Sequence, residues 1–480
     1  MFRRATTVST RTGGTSRGRA AGGANLDRRV RRLRRAALAL AAGATSLVVT
    51  ANSGYALKPV TPPANIAKNC TRDVTAQLNS WLNSRPKNSE AVFPAGACYL
   101  VSPSASSLLT LNGTTGLTIN GHGATLKQAS YTGGTQPILS LTGNTNLTVE
   151  NLTLNGPGGS GQEGDYGIMV GGTNAGNNGV TFDGVTVENV AGDGVAVYPQ
   201  LGSCCGINTV VVFENGAMNN IGYHGFTPEG VNGLDIYNNT LSVADMDMEV
   251  DINQYGPPFN ACTDTAAQGL TGVAQCNISI VGNHFVHTGF SVESSSNGAC
   301  IPSGNLQIVD NTFTDGSSLN TQVEGSQSAA CPRDNGLTVT GNVVVPDANF
   351  DGAGGWYSCS IASPSLGDGP CGAALDIADY QNVDIENNQF LMAAGSPNWY
   401  ADTIYTQSLA LQGDKNVTIK NNGFNNGWNV WADAGYQWAH NEYTNVNITE
   451  CGNSYWLTKP MFNDDVNITP PASPKYDVAC

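Results

Sequence analysis

One irregular repeat governs what this 480-residue chain can become. Its core reads apolar-x-apolar-x-Asn/Gly-Asn-x-apolar. Copies run Leu117–Leu126 (LTINGHGATL), Leu147–Leu154 (LTVENLTL), Val180–Val187 (VTFDGVTV), Leu234–Leu241 (LDIYNNTL) and Ile278–Phe285 (ISIVGNHF). They continue through Leu306–Phe313, Leu337–Val344, Val383–Phe390 and Val417–Phe424, at spacings of 28 to 54 residues. Alternating apolar residues mark a short strand with one buried face. The Asn-containing corner joins it to a second short strand, and Asn tolerates the left-handed backbone such a corner needs. A single unit of this size cannot bury its own apolar face. Stacking against the next copy can, so the repeat predicts a solenoid.

Long helical periodicity is nearly absent. The exception is Asp73–Leu82, where Val74, Leu78, Trp81 and Leu82 share a face and Thr71 or Asp73 can cap the start. A short strand and turn, Val92–Tyr99, follows. Together with Phe93–Gly96 (FPAG) and the first repeat, Leu117–Leu126, this organisation resembles the right-handed parallel β-helix of the pectin-lyase-like superfamily. The resemblance covers nearly the whole chain after its leader. It implies an all-β solenoid, with the helix plugging the N-terminal end and the tail after Cys451 plugging or covering the other. The expected division is an export signal at 1–56, an N-terminal cap at 57–107, the β-helix at 108–450 and a tail at 451–480. That fold carries lyases, hydrolases, esterases, epimerases, transferases and adhesins, so activity has to be argued from residues.

Residues 1–35 hold eleven arginines and a single acid, Asp27, and an apolar run from Ala36 to Val49 follows. Small-residue exits occur at Val49–Ala51 and Gly54–Ala56. An Arg-rich start, a short apolar core and a small-residue exit predict export, hence a secreted protein, rather than a membrane anchor. No later apolar run is long enough to insert in a bilayer. Removing this leader leaves 11 bases against 36 acids, a charge near −25. Such a surface repels nucleic acid and anionic membranes. All twelve cysteines follow the leader, and an even count in an exported chain predicts disulfides. Neighbours in sequence pair as Cys70–Cys98, Cys262–Cys276, Cys300–Cys331, Cys359–Cys371 and Cys451–Cys480. Cys204 and Cys205 remain as a vicinal bridge or as thiols.

The chemistry concentrates at Asp245-Met246-Asp247-Met248-Glu249-Val250-Asp251. On a strand the Met and Val side chains face the core, and four carboxylates line the other face about 6.6 Å apart. Matching apolar positions aligns this segment with Gly194–Tyr198, Gly225–Glu229, Gly289–Glu293, Asn320–Glu324 and Ala374–Ala378. One outward column then holds Ala196, Thr227, Glu249, Ser291, Gln322 and Asp376. Another holds Tyr198, Glu229, Asp251, Glu293 and Glu324. Gly225 and Gly289 leave room at Asp247, and Thr227 and Ser291 bracket Glu249.

Two carboxylates on one face are the requirement for glycoside hydrolysis, one as acid and one as base or nucleophile. Mutual repulsion keeps one of them protonated near neutral pH. The expected catalytic set is Asp247 and Glu249, with Asp251 and Asp245 beside them. Glu229, His224, Thr227, Ser291, Glu293 and Asp193 are the expected substrate-binding residues, and the partner is a polysaccharide or oligosaccharide. No cofactor is required. The same carboxylates supply enough hard oxygens for Ca²⁺, which β-helix uronate lyases commonly use. Lyase chemistry also needs Lys or Arg, and none occurs between Lys127 and Arg333. A solvated acidic strand on a non-catalytic glycan-binding protein is the bland alternative. Gly121-His122-Gly123 reads as a turn, and His284 and His287 read as structural. Trp399, Tyr400, Trp428, Trp431, Trp438 and Trp456 read as end packing or as sugar platforms.

Overall fold

The computed structural model describes residues 59–102, 109–159, 164–171, 176–198, 207–228, 231–242, 276–286, 304–314, 333–345, 380–391, 407–425 and 446–456. It also describes the short strands 259–260, 265–266, 273–274, 290–293, 319–322, 373–378, 429–433 and 460–462. The expected export signal at 1–56 and most of the 451–480 tail lie outside these residues.

Each coil contributes two strands to one long sheet, the second offset by a corner. The first track runs through Asn178–Asp183, Asn208–Glu214, Val231–Tyr237, Cys276–Val281 and Gly304–Val309 to Val446–Cys451, all parallel. The second runs from Thr186–Val190 to Ser454–Trp456. Two further parallel sheets close the coils. One holds Leu109–Asn112, Leu139–Thr142, Ile168–Gly171, Val195–Tyr198 and Phe226–Pro228; the other runs from Phe290–Glu293 to Pro460–Phe462. The expected all-β parallel solenoid is what forms.

Backbone geometry explains the repeat. A residue with positive φ opens each first-track strand at Asn146, Gly179, Val210, Gly233, Asn277, Asn305, Gly336, Asn382, Asn416 and Asn447. Five residues later a second closes it, at Asn151, Gly184, Asn215, Asn238, Gly282, Asp310, Gly341, Asn387, Asn421 and Gly452. Between them the side chains alternate. Leu234 and Ile236, or Ile278 and Ile280, face the core, while Asp235, Tyr237 and Ser279 face out. Left-handed backbone favours Gly and Asn because a Cβ crowds the following carbonyl. Val210 is the outlier, a β-branched residue at φ 54° and 53% exposed.

The residue after the second corner begins a buried amide ladder. Asn239, Asn283, Asn311, Asn342, Asn388, Asn422 and Asn453 stack on successive coils, all 0–2% exposed. Each main-chain N–H donates to the Oδ1 of the next Asn, at 2.9 Å for Asn239–Asn283 and 2.8 Å for Asn422–Asn453. Each Nδ2 donates to the same Oδ1 and to a carbonyl of the preceding coil, as Asn388 does to Val339 at 2.8 Å. The N-terminal coils use a different corner for the same device: Asn144, Asn177 and Asn208. Their second corner is apolar, at Leu152 and Val185. Gly216 marks the change. It has no side chain to offer, and its N–H donates to Asn239 Oδ1 at 2.7 Å.

Leucine, valine and phenylalanine columns fill the interior, with Phe285 stacked on Phe313 at 4.6 Å and Phe390 on Phe424 at 5.1 Å. The helix spans Thr75–Asn83, two residues later than the sequence implies. Asp73 lies outside it and accepts from Thr75 N at 2.9 Å. Its buried Leu78, Trp81 and Leu82 pack on the first coils, with Trp81 edge-on to Phe93. Asn79 and Asn83 bond the backbone of Thr110. The Cys70–Cys98 bridge is present as expected, and Cys276 and Cys451 are disulfide-bonded. The other cysteines lie outside the described residues. Gly121-His122-Gly123 is a bulge in the strand Thr118–Gln128, with His122 exposed at φ 48°.

Three substitutions test the backbone and ladder roles. Val210→Asn puts a left-handed-tolerant residue where the column wants one, and denaturant unfolding should show a gain of about 1 kcal/mol. Asn388→Ala strands the Val339 carbonyl and the Asn342 N–H. It should cost about 3 kcal/mol or more, while the exposed neighbour change Asn387→Gly stays under about 1 kcal/mol.

Candidate functional site

At the entry to the five-stranded sheet, three coils bring polar groups into one buried corner. Ile168, Val195 and Phe226 are register partners. Tyr166, Asp193 and His224, two residues earlier, therefore stack as a column, and Asp165, Gly192 and Tyr223 as its neighbour. Asp165 is fully buried, and Asp193 and His224 are nearly so. The glycine between column and strand is required by close approach. A Cβ at Gly194 would sit 2.7 Å from the Gly225 carbonyl and 2.9 Å from Met218 Sδ. The backbone continues the stack, with Gly167 N donating to Asp193 O at 2.9 Å and Gly194 N to His224 O at 2.8 Å.

Asp165 binds three coils together. Its Oδ1 accepts from Gln128 Nε2 at 2.9 Å and its Oδ2 from Ala191 N at 3.1 Å. Burial pushes its carboxyl above the usual carboxylate range, and the two donated bonds pull the other way. Asp193 Oδ1 accepts from His224 N at 3.3 Å. The Tyr198 hydroxyl donates to the Tyr166 hydroxyl at 3.2 Å, with the rings 5.9 Å apart. Thr227 is 4% exposed, and its Oγ1 has no hydrogen-bond partner.

The structure thus brings Asp193 and His224, two of the expected binding residues, into one corner with Asp165, Tyr166 and Gln128, and places Thr227 opposite Ala196 in the strand that follows. Register neighbours Ala196 and Thr227 pair as the alignment predicted. Farther along, the alignment slips. Ser291 pairs with Asn320, and Asn320 with Asp376, where the sequence alignment placed Gln322. Glu293 pairs with Gln322, not with Glu324. A slip of two residues preserves the alternation of faces, so the apolar pattern alone cannot detect it. Ser291 and Glu293 lie in the strand Phe290–Glu293 of the six-stranded sheet. Asp245, Asp247, Glu249, Asp251 and Glu229 fall outside the described residues.

A second acidic row was missed. Glu150, Asp183 and Glu214 are register partners on successive coils and point outward from the long sheet. Burial lifts the Glu150 carboxyl, and Glu90 and Asp183 add to it, while His122 lowers it. Glu214 is raised by burial, then by Asp183 and Asp235. Each of these acids is the fourth residue of its strand unit, and that acidic repeat across three coils was the available signal. Among the described residues, no group of three or more His, Cys, Asp or Glu is arranged to hold a metal ion.

No family model and no curated protein matches the chain. Solved structures do. The A-module of the Azotobacter vinelandii mannuronan C-5 epimerase AlgE6 is similar at a TM-score of 0.52 and 14% identity, over 85% of this chain and 98% of that one. An endo-xylogalacturonan hydrolase from Aspergillus tubingensis is similar at a TM-score of 0.43 and 14% identity, over 88% of this chain and 98% of that one. With the parallel stack described above, the epimerase likeness identifies the fold as a right-handed parallel β-helix.

The Asp165 brace gives a pH test. Its folded pKa is raised, so its contribution is full below the unfolded carboxylate pKa and falls as pH rises through the folded value. Asp165→Asn removes that dependence. The Tm difference, variant minus wild type, should grow from pH 4 to pH 8; a constant difference would contradict the assignment.

Proposed function

We propose that the protein is a secreted carbohydrate-active enzyme, a glycoside hydrolase cleaving an extracellular polysaccharide. Its carboxylate pair is Asp247 and Glu249, with Asp251, Asp245 and Glu229 beside them. The carrying observation is the alternation of four acids with Met and Val in the 245–251 segment. The segment follows the five-stranded sheet in the chain. The observed register of Ala196 with Thr227 supports the alignment that sets Glu249 beside Thr227.

The reaction needs two proton movements. The protonated carboxyl gives its proton to the glycosidic oxygen as the bond to the anomeric carbon breaks. The ionised partner takes a proton from the water whose oxygen attacks that carbon. Spacing of about 6.6 Å along the strand fits the inverting separation of about 6.5–9.5 Å. The lack of Lys and Arg from 128 to 332 favours a neutral or basic glycan over a uronate. It also disfavours a Ca²⁺-dependent lyase. No described helix is long and apolar enough to cross a membrane, consistent with the export reading.

The Glu150–Asp183–Glu214 row is a second place for acid chemistry, favoured by the raised Glu150 and Glu214 carboxyls. A cleavage screen over neutral, basic and uronic glycans separates the alternatives. Asp247→Asn and Glu249→Gln should each lower kcat about a thousandfold with Tm unchanged, and Asp183→Asn should leave kcat within about threefold. The opposite pattern moves the active face to the long sheet. An unsaturated, ultraviolet-absorbing product that vanishes on chelation identifies a lyase. Glycan binding without any cleavage leaves the non-catalytic reading.

A further inference from the structure

The amide ladders follow one geometric rule. A rung accepts the N–H of its counterpart in the preceding coil, and its Nδ2 donates to the carbonyl three residues before that counterpart. Asn177 accepts from Asn144 N and donates to Leu141 O at 2.9 Å. Asn283 accepts from Asn239 N and donates to Ile236 O, and Asn388 accepts from Asn342 N and donates to Val339 O. One rung keeps this geometry and changes the chemistry. Leu409-Ala410-Leu411-Gln412-Gly413-Asp414 repeats Leu139-Ser140-Leu141-Thr142-Gly143-Asn144, with Asp in the ladder place. Tyr380 N donates to Asp414 Oδ1 at 2.9 Å, just as Asn144 N donates to Asn177 Oδ1. The rule then sets the second carboxyl oxygen against the carbonyl of Ile377, three residues before Tyr380.

An amide can donate to that carbonyl. An ionised carboxylate cannot, and it would leave two acceptors facing each other in the core. Asp414 is fully buried, and Asp334 is 4% exposed. Asp334 is the register partner of Tyr380, so two carboxyls flank one buried tyrosine on successive coils. Burial, then Asp334 and Asp414, hold the Tyr380 hydroxyl well above its usual range. Two like charges in one buried corner are costly, and retaining a proton removes one of them. Charged groups on the packed strands include Asp384, which is exposed, and Glu386, Lys415 and Lys420, which are half-buried at outer positions. Asp376 lies on the strand that leads to Tyr380, and Glu450, one coil on, accepts from Asn453 Nδ2 at 3.4 Å. Arg333 is the cation placed to oppose the proton: its Nε donates to the Gly413 carbonyl at 2.6 Å.

We propose that Asp414 keeps its proton in the folded protein and donates it to the Ile377 carbonyl, which makes this corner an acid-set joint between the coils of Asp334, Tyr380 and Asp414. The carboxyl O–H stands where other rungs place an amide N–H. Losing the proton to solvent turns the bond into a repulsion between a carboxylate and a carbonyl. A carboxyl protonated in the folded state gives stability that is full below the unfolded Asp value, about 3.9, and lost as pH rises through the folded value. The coils from Asp334 to Asp414 therefore hold together in acid and loosen at higher pH. The early coils, on the amide rungs Asn144, Asn177 and Asn208, have no such dependence at their ladder. This device is independent of the carbohydrate reading above.

Hydrogen exchange of the whole chain, read by mass spectrometry from pH 5 to pH 8 and corrected for intrinsic rates, tests the joint. Peptides covering Tyr380–Glu386 and Lys415–Lys420 should lose about tenfold in protection over that range, while those covering Thr145–Asn155 change by less than about threefold. The local readout separates the joint from Asp165, which acts in the early coils. Asp414→Asn supplies the amide that the ladder uses elsewhere. It should abolish the loss and, at pH 8, protect both peptides better than wild type. The infrared difference between wild type and Asp414→Asn at pH 6 should contain the carbonyl stretch of a protonated carboxyl. Arg333→Gln is the second variant, and it should leave the direction of the wild-type pH dependence unchanged. Protection that falls toward acid, as an Asp414 carboxylate held by Arg333 would give, overturns the proposal. So does an unchanged profile in Asp414→Asn, or a difference spectrum without the protonated-carboxyl band.

Discussion

The asparagine ladder is the interaction on which this molecule depends. A parallel β-helix turns its backbone sharply at every coil, and each turn takes polar groups into the interior. Buried amides and carbonyls must find partners or the fold loses more than it gains. Here each ladder Asn satisfies its own N–H, its side-chain amide and a carbonyl of the neighbouring coil at once. One residue type, repeated in register, thereby converts the most expensive point of each turn into a contact between coils. Charge could not do this, because a stack of like charges at coil spacing repels. Aliphatic residues fill the second corner of the early coils, at Leu152 and Val185, where the amide ladder runs along the other corner.

The ladder also decides where chemistry can sit. With one corner locked by buried amides and the strand ends fixed by left-handed residues, side chains repeat at nearly constant positions from coil to coil. Columns of one residue type are then inevitable on the outer faces, and the acids of Glu150, Asp183 and Glu214 form one such column. The move of the ladder from Asn144, Asn177 and Asn208 to Asn239 and beyond changes which corner is rigid. It occurs between coils 208 and 239, beside the buried Asp193 and His224 corner. There His224 N donates to Asp193 Oδ1, and Asp165 ties its coil to Gln128 and Ala191.

The solenoid was legible in the sequence because its signals are local. The Asn–Asn doublet encodes two adjacent needs, a left-handed corner at Asn387 or Asn421 and a buried amide at Asn388 or Asn422. The sequence showed the first need and not the second, since an Asn inside the core looks no different from an Asn outside it until the coils are stacked. Register was legible between Ala196 and Thr227, where one short segment separates the strands. It held between Ser291 and Asp376, which share a column, and failed at the intervening 320–324 segment, where alternation admits a two-residue slip at no cost in burial. The corner formed by Asp165, Asp193 and His224 draws on three coils about 30 residues apart. Only His224 and Asp193 stood out, each next to a glycine; Asp165 also follows a glycine, Gly164, but lies outside the aligned strand segments.

Electrostatics narrows what the outer faces can accept. From 128 to 332 the chain places no Lys or Arg opposite its acids. A row of carboxylates in that setting raises its own proton affinity, and burial followed by neighbouring acids lifts the Glu150 and Glu214 carboxyls above the usual carboxylate range. A protonated carboxyl beside an ionised one is the arrangement that both donates and accepts a proton. A substrate carrying its own carboxylates would meet repulsion with no fixed cation to offset it. A neutral glycan would meet none, and its hydroxyls could pair with the carboxylates. The same charge pattern that makes the acid rows unfavourable as bare surface leaves carboxyls able to exchange protons and free of fixed cations, so charge, more than fold, sets what the outer faces of this solenoid can accept.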